Sequence, residues 1–181
     1  MFLKDIEIFR GVRERNDKGE TLEEFLDNYD PKKYDMPSHT VDMIVFRCSE
    51  KLRSLDQNLQ ILLIQRKNHP CIGMWGTPGG FVDLREDLID AAKRELEEET
   101  GYKANKVTKL GIIYPSCGYT NEKINLFLGE NLEKSMQNLE EDEFVDIIKM
   151  PLNLVKEQIK NGEIKDAKTI VAIYHYLNIN K

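Results

Sequence analysis

The sequence predicts an α/β fold in which a mixed β-sheet carries helices on both faces. Segments rich in β-branched and aliphatic residues, which favour strands, alternate with helical patterns that have clear start or stop signals. Elements in this order pack in layers around one core. The strands are predicted at residues 40–47, 59–66, 107–114, 123–129 and 144–150.

Residues 1–37 are predicted to form an N-terminal extension with one short helix, and residues 38–181 are predicted to form the main domain. Thr21 and Glu24 have the spacing of a capping box and precede apolar residues at helical spacing. The helix that begins here could pack on the core or on a partner subunit. A homodimer is therefore one of two arrangements that the sequence leaves open.

A longer helix is predicted between the second and third strands, from about Asp87 to Thr100. An α-helix has 3.6 residues per turn, and at that period the apolar side chains form one stripe of the width expected against a core. The stripe consists of Leu88, Ile89, Ala92 and Leu96.

Three glutamates gather beside this stripe. Glu95 and Glu99 are four residues apart and lie one above the other at its edge, with Glu98 next to them. Like charges beside buried surface are costly unless a cation neutralises them, and carboxylate oxygens favour a hard divalent ion. The pattern predicts a site for Mg²⁺ that could also take Mn²⁺. Glu97 projects from the far side and is interpreted as a solvated residue.

Two more helices are predicted after the last strand. Pro151 opens a short helix that Asn161 and Gly162 end, and Asp166 caps the final one. The apolar face of the final helix is predicted to consist of Ile170, Val171, Tyr174 and Leu177.

The composition excludes several classes of function. A chain of 181 residues can bury a substantial core as one domain, and a formal net charge of −6 without a long basic run argues against a nucleic-acid partner. No apolar run approaches the roughly 18 residues of a membrane span, and acidic residues interrupt the N-terminal segment where a signal peptide needs apolar ones. The three cysteines lack paired spacing. We therefore expect a cytoplasmic enzyme with free thiols.

The segment from Gly80 to Tyr102 resembles the Nudix box, Gly-x5-Glu-x7-Arg-Glu-apolar-x-Glu-Glu-x-Gly-apolar, at every fixed position. One mild departure is Tyr102, where the family usually has an aliphatic residue. The stretch from Trp75 to Gly79 resembles the usual lead-in to that box. The resemblance extends over roughly residues 38–178. It implies a Nudix-type α/β/α sandwich and a small-molecule nucleotide substrate, a nucleoside diphosphate linked to another moiety, which is hydrolysed with a divalent metal.

When the roles of the box residues are assigned by position, the resemblance implies a metal site. Glu95, Glu98 and Glu99 would be the metal ligands, and the carbonyl oxygen of Gly79 would be a further one. Arg94 would orient the carboxylates through a bidentate pair.

Three more box residues would support that site structurally. Glu86 would hold the junction between loop and helix. Gly80 and Gly101 would allow tight turns, because glycine adopts backbone conformations that other residues avoid.

The segment from Tyr114 to Glu122 resembles the loop that follows the box in ADP-ribose pyrophosphatases, although Cys117 replaces its second proline. This resemblance implies ADP-ribose as substrate, with AMP and ribose 5-phosphate as products. The substrate-binding candidates are Arg66, Trp75, Tyr119 and Glu122. Arg66 could contact a diphosphate or make a surface ion pair, and the aromatic rings could stack on adenine. Trp75 could equally cover the core.

Other substrates stay open at this point. Tyr119 lies about where diadenosine polyphosphate hydrolases have a tyrosine, so that substrate class and a nucleotide-sanitising hydrolase are alternatives. The region from Tyr34 to Phe81 also resembles Nudix domains in NAD metabolism and its regulators. A non-catalytic sensor of ADP-ribose-like ligands is the alternative from a different class of function.

The resemblance also bears on the general base. It puts this residue on an acidic loop late in the chain, which makes Glu141 and Glu143 the candidates. Glu95 and Glu98 of the box are the competing choices, because Nudix enzymes vary on this point.

Overall fold

A mixed sheet of seven strands organises the part of the chain that the structure describes. The structure, a computed structural model, describes residues 12–28, 39–48, 59–116, 120–139 and 144–179. The strands are β1 (His39–Cys48), β2 (Leu59–Arg66), β3 (Trp75–Gly76), β4 (Gly79–Phe81), β5 (Tyr102–Ile113), β6 (Lys123–Lys134) and β7 (Val145–Pro151). The helices of the same ranges are α1 (Leu22–Asn28), α2 (Leu88–Thr100), α3 (Leu152–Lys160) and α4 (Ala167–Ile179).

Strand β1 connects the two halves of the sheet. It runs parallel to β6 and antiparallel to β2 and β4. Antiparallel pairs also join β2 to β3 and β7, and β5 to β6. Both orientations occur, so the predicted mixed sheet is confirmed. Near Asp42, β1 has Gly79 of β4 as one neighbour and Leu126 of β6 as the other.

Helices cover both faces of the sheet, as predicted. Val41 and Met43 of β1 pack with Leu96 of α2, whereas Ile44 packs with Leu152 of α3 and Ile173 of α4. Successive strand residues point to opposite faces, and so β1 contributes to both layers of the core. The described helices include none that is long and apolar enough to cross a lipid bilayer.

Two strands are longer than predicted. β5 begins at Tyr102 rather than at residue 107, and β6 continues beyond residue 129 to Lys134. The added ends pair with each other, since Tyr102 lies opposite Lys134. They were missed because their side chains are mostly polar and exposed, so they lack the alternating apolar pattern of a half-buried strand. The short strands β3 and β4 were not predicted, since their residues were interpreted as a turn.

The N-terminal helix packs on the body of this chain. The predicted capping box is present: the amide of Thr21 donates to Glu24 at 2.8 Å, and the amide of Glu24 donates to the Thr21 hydroxyl at 3.2 Å. Leu22 is fully buried, and Asn16 Nδ2 donates to Oδ1 of Asn68 at 2.6 Å. The boundary expected at residues 37 and 38 lies outside the described residues.

Two helix faces differ from the predicted ones. Ile89 was placed in the buried stripe of α2 but is 40% exposed, whereas Ala91 is buried and Leu88 of the same first turn packs on the core. On α4, Val171 and Tyr174 are exposed, whereas Ala172 and Ile173 are buried. Apolar residues lie all around α4, and so the sequence pattern did not select its buried side. On α2 the apolar residues form one stripe, and only the edge of that stripe at Ile89 was misplaced.

Candidate functional site

The position of α2 is set at both ends by local signals. Asp87 caps the start and accepts from the amide of Ile89 at 2.8 Å. Gly101 ends the helix in the left-handed conformation, with φ 66°, and its amide donates to the carbonyl of Glu97 at 2.7 Å. These contacts fix which residues of α2 face the sheet.

Two of the predicted ligands are buried between α2 and β4. Glu95 and Glu99 are only 7% and 4% exposed. Oε2 of Glu99 accepts from the amide of Gly79 at 2.7 Å. The carboxylate of Glu95 lies against Gly80, where an added Cβ would be 2.5 Å from its Oε2. Both carboxylates therefore rest on the backbone of the two glycines.

Arg94 connects the remaining carboxylates of the box. Its Nη1 donates to Glu95 at 2.8 Å and to Glu98 at 3.0 Å. Its Nε and Nη2 bind the two oxygens of Glu86 at 2.9 and 3.0 Å, which is the bidentate arrangement. Nη2 also donates to the carbonyl of Phe81 at 3.0 Å. A single guanidinium thus holds three carboxylates and the end of β4.

These charges stabilise each other. The hydrogen bonds from Arg94 hold the pKa of Glu86 below its usual range, and in return the carboxylates, Glu86 first, raise the pKa of Arg94. Both groups are therefore charged at neutral pH. The two share a site that is only partly open to solvent, where ion pairs hold their geometry better than on an open surface.

Glu97 lies on the far side of α2, as predicted, but it is more than a solvated residue. Its Oε1 accepts from the Ser135 hydroxyl at 2.6 Å and lies 3.1 Å from Nζ of Lys103. These contacts hold the pKa of Glu97 below its usual range, chiefly through the Ser135 hydroxyl. The helix period predicted the direction of this side chain, whereas its partners come from β5 and from the end of β6.

Sequence reasoning missed the segment that holds the end of α2. The amide of Asn138 donates to the carbonyl of Glu98 at 2.9 Å, Gln137 Nε2 donates to the carbonyl of Glu99 at 2.7 Å, and the amide of Ser135 donates to the carbonyl of Gly101 at 2.7 Å. The last carbonyls of a helix lack partners within the helix. No local pattern indicates that a segment 34 to 40 residues later in the chain supplies these partners.

The structure also tests whether these residues suit a divalent cation. Among the described residues, no three His, Cys, Asp or Glu side chains stand in an arrangement that would hold a metal ion. Glu95 and Glu98 are instead drawn to Arg94, and Glu99 to the amide of Gly79. The donor chemistry nevertheless fits, because the three side chains offer hard carboxylate oxygens. Nη1 of Arg94 demonstrates that one cationic group can contact Glu95 and Glu98 together.

Other candidates lie on neighbouring elements. Oε1 of Glu122 accepts from the Thr40 hydroxyl at 3.3 Å, which places it at the start of β6 beside β1. Arg66 ends β2, and its Nε donates to the carbonyl of Pro70 at 3.1 Å. Trp75 packs, partly buried, on the core beneath α3 and α4.

Some predicted residues lie outside the described part of the chain. These are Cys117 and Tyr119 of the substrate loop, and Glu141 and Glu143 of the acidic loop. Their roles stay predictions from the sequence.

Comparison with known proteins identifies the family. Residues 36–172 match the NUDIX domain. The chain belongs to the Nudix family. The match covers β1 through the first six residues of α4, and therefore includes the glutamates of α2 and every strand of the described sheet. The family and the fold predicted from the sequence are both confirmed.

Two Nudix relatives differ in their named substrates. A protein of Bacillus subtilis (strain 168) named ADP-ribose pyrophosphatase is 39% identical over 106 residues, which are 58% of this chain and 57% of that protein. The match thus spans little more than half of that relative. A GDP-mannose pyrophosphatase of Cronobacter sakazakii is 29% identical over 175 residues, which are 95% of this chain and 81% of that protein.

A solved structure shares the fold. The NUDIX domain of Shewanella oneidensis NrtR, complexed with ADP ribose, superimposes with a TM-score of 0.61. It is 24% identical in sequence, and the comparison covers 90% of this chain and 100% of that one. The likeness therefore extends to the arrangement of the sheet and its helices.

Proposed function

We propose that this Nudix protein is a pyrophosphohydrolase that cleaves the diphosphate of a nucleoside diphosphate linked to another moiety. The observation that carries this proposal is the intact carboxylate cluster of α2. Glu95 and Glu99 are buried on the backbone of two glycines, and Arg94 orients Glu95 and Glu98. Buried like charges are costly, and their retention in one place is typical of a site that binds cations.

ADP-ribose is the substrate that we propose. The Bacillus subtilis relative is named for this substrate, and its sequence identity to this chain is higher than that of the GDP-mannose pyrophosphatase. Glu122 belongs to the loop that resembles the one in ADP-ribose pyrophosphatases, and it lies beside β1. The relative named for GDP-mannose matches a longer stretch at lower identity. Addition of one water to ADP-ribose would give AMP and ribose 5-phosphate.

The residues of the box have separate roles in this proposal. Glu95, Glu98 and Glu99, with the carbonyl of Gly79, would hold Mg²⁺ or Mn²⁺. Such an ion, when bound, neutralises charge on the diphosphate and acidifies a water ligand. Arg94 keeps Glu95 and Glu98 on the substrate side of α2.

The general base that we propose is Glu141 or Glu143, and the described neighbours of the acidic loop support this assignment. Asn138, shortly before the loop, is bonded to the last turn of α2. Phe144, directly after it, accepts from the amide of Lys67 at 2.7 Å. Both flanks are thus anchored, one of them next to the carboxylate helix.

A substrate panel tests the proposal. The protein would be incubated with Mg²⁺ and ADP-ribose, GDP-mannose, a diadenosine polyphosphate, NADH or a deoxynucleoside triphosphate, and the products separated by chromatography. We expect AMP and ribose 5-phosphate from ADP-ribose at the highest kcat/KM. Faster turnover of another member would overturn the substrate choice. Tight binding of ADP-ribose without any turnover would favour a sensor.

A further inference from the structure

Five polar residues form a closed ring on the opposite face of β1 from α2. We call this the β1–α4 ring, and it consists of Asp42, Thr77, Asp166, Lys168 and Thr169. Asp42 belongs to β1, Thr77 to the turn between β3 and β4, and the other three to the start of α4. Three separate segments therefore meet in the ring.

Each neighbouring pair in the ring is in contact. The Thr77 hydroxyl donates to Oδ1 of Asp42 at 3.0 Å, and the Thr77 amide donates to the Thr169 hydroxyl at 2.9 Å. The Thr169 hydroxyl donates to Oδ2 of Asp166 at 2.6 Å. Nζ of Lys168 closes the ring, 3.0 Å from Asp166 and 3.6 Å from Asp42.

The ring is costly for a purely structural link. Asp42 and Thr77 are 2% exposed, and Thr169 is fully buried. Buried ion pairs are often no more stabilising than apolar residues of the same volume, but they do specify one geometry.

The geometry that the ring specifies is that of the turn at Gly79. Asp42 pairs with Gly79 across β1 and β4, and an added Cβ at Gly79 would lie 2.7 Å from the α-carbon of Asp42. The amide of Met43 also donates to the carbonyl of Pro78 at 2.8 Å. Gly79 in turn donates to Glu99 of α2. A continuous series of contacts thus runs from α4 through β1 to a proposed metal ligand.

We infer that the β1–α4 ring positions the Gly79 backbone for cation binding, so that Thr77, Lys168 and Thr169 act as positioning residues for the site on α2. This inference rests on the proposed function, since it concerns the same site. Residues that orient ligands from behind influence metal affinity strongly even without touching the ion. Lys168 stands 69 residues beyond Glu99 in the chain, and its contacts with Asp42 and Asp166 connect it to the metal site through this ring.

The test compares ring variants with a core variant of the same helix. Thr169→Val removes the acceptor of the Thr77 amide at nearly constant volume, and Lys168→Met removes the cation. Lys168→Arg retains a cation and serves as the rescue. Ile173→Val shortens a fully buried side chain of α4 that takes no part in the ring. Lys165→Met changes an exposed lysine just before α4.

Three quantities would be measured for each variant: Mn²⁺ affinity by electron paramagnetic resonance without substrate, kcat and KM for ADP-ribose, and Tm. We expect Thr169→Val and Lys168→Met to weaken Mn²⁺ binding by about tenfold or more and to lower kcat with a smaller change in KM. Lys168→Arg should restore most of the affinity. Ile173→Val should lower Tm while Mn²⁺ affinity stays unchanged, and Lys165→Met should change neither.

The outcomes separate the inference from the proposed function. Ring variants that lower Tm but bind Mn²⁺ as the wild type does would overturn the inference, because the ring would then be structural only. A second outcome is that the ring variants bind Mn²⁺ more weakly than the wild type, while the wild type hydrolyses no member of the substrate panel. That result would support the inference and contradict the proposed function. If Thr169→Val does not fold, the Mn²⁺ affinities of Lys168→Met and Lys168→Arg test the inference. Equal affinities in these two variants and the wild type would overturn it.

Discussion

The carboxylate of Glu95 rests directly on Gly80, so closely that a β-carbon at Gly80 would lie 2.5 Å from Oε2 and 2.6 Å from Cδ of Glu95. Real β-carbons do not approach other heavy atoms so closely, and a side chain at this position would therefore require the carboxylate of Glu95 to move. The turn expected at Gly80 from the backbone freedom of glycine is not found there, because Gly80 lies in β4 and the positive φ belongs to Gly79 (158°) and Gly101 (66°). What distinguishes Gly80 is its contact with a carboxylate.

Replacing Gly80 with Ala should displace Glu95 from its buried position. Because the atoms that must move are the far end of a flexible side chain, we expect a loss in the free energy of unfolding below the about 1–3 kcal/mol of an overpacked core, and a large fall in kcat. Urea unfolding and steady-state kinetics would measure both. Gly76→Ala is the matched control, since the nearest atom to its added Cβ is 3.9 Å away. Equal effects of the two substitutions would contradict this explanation.

The glutamates of α2 should differ in their effect on turnover. We expect Glu98→Gln or Glu99→Gln to lower kcat by orders of magnitude while the fold persists, since each removes a proposed ligand. Glu97→Gln should leave kcat unchanged, although it weakens the contacts to Ser135 and Lys103. Steady-state kinetics and circular dichroism measure the two effects. Comparable losses of kcat at Glu97 and Glu99 would be incompatible with the helix-face assignment.

Stability should depend on pH through Glu86. Its pKa in the folded protein is below the ordinary value of 4.5 because of Arg94. Its contribution to stability is therefore fully present above pH 4.5 and is lost as the pH falls through the folded-state pKa. At neutral pH we expect Glu86→Gln to cost about 1–2 kcal/mol in the free energy of unfolding, and the difference from the wild type should shrink in acid.

Urea unfolding at several pH values measures this dependence on Glu86. Asp83→Asn is the control, because Asp83 is exposed and its carboxylate lies 4.0 Å from Nε of Arg94, farther than any carboxylate that Arg94 binds. We expect a smaller effect from that substitution at every pH. A difference between Glu86→Gln and the wild type that persists unchanged in acid would rule out the ion pair as its source.

Substitutions in the acidic loop should identify the general base. If Glu141 or Glu143 accepts the proton of the attacking water, Glu141→Gln or Glu143→Gln should lower kcat with little change in KM for ADP-ribose. The two single variants and the double variant would be compared at saturating Mg²⁺. Full activity in all three would return this role to a glutamate of the box.

The box helix was predictable because its signals are local. Asp87 and Gly101 lie within one residue of its ends and bond to its own backbone, so its bounds require no knowledge of the rest of the chain. The direction of its glutamates follows from the helical period once those bounds are known. The placement of Ile89 was wrong because the period does not reveal where the sheet ends beneath the helix.

The start of β5 was not predictable from its own residues. Its first residues are polar, and they form a strand because the end of β6 lies alongside them. The same holds for the segment from Ser135 to Asn138, which bonds to the carbonyls at the end of α2. A strand or a cap of this kind depends on a partner distant in the chain, and therefore on the fold as a whole.

The sequence by itself determined the family, the sheet with helices on both faces, and the side of α2 on which Glu95, Glu98 and Glu99 lie. Each of these depends on spacings within a few turns of chain, where the backbone geometry is regular. Only the tertiary structure decided that the bidentate pair of Arg94 is with Glu86, that Gly79 binds Glu99, and that residues 42, 77 and 169 meet behind the site. The Thr77–Thr169 contact spans 92 residues. It forms because β1 pairs with β4 and also contacts α4, which brings the turn at Thr77 to the start of α4. No local preference of the turn or of α4 implies this contact.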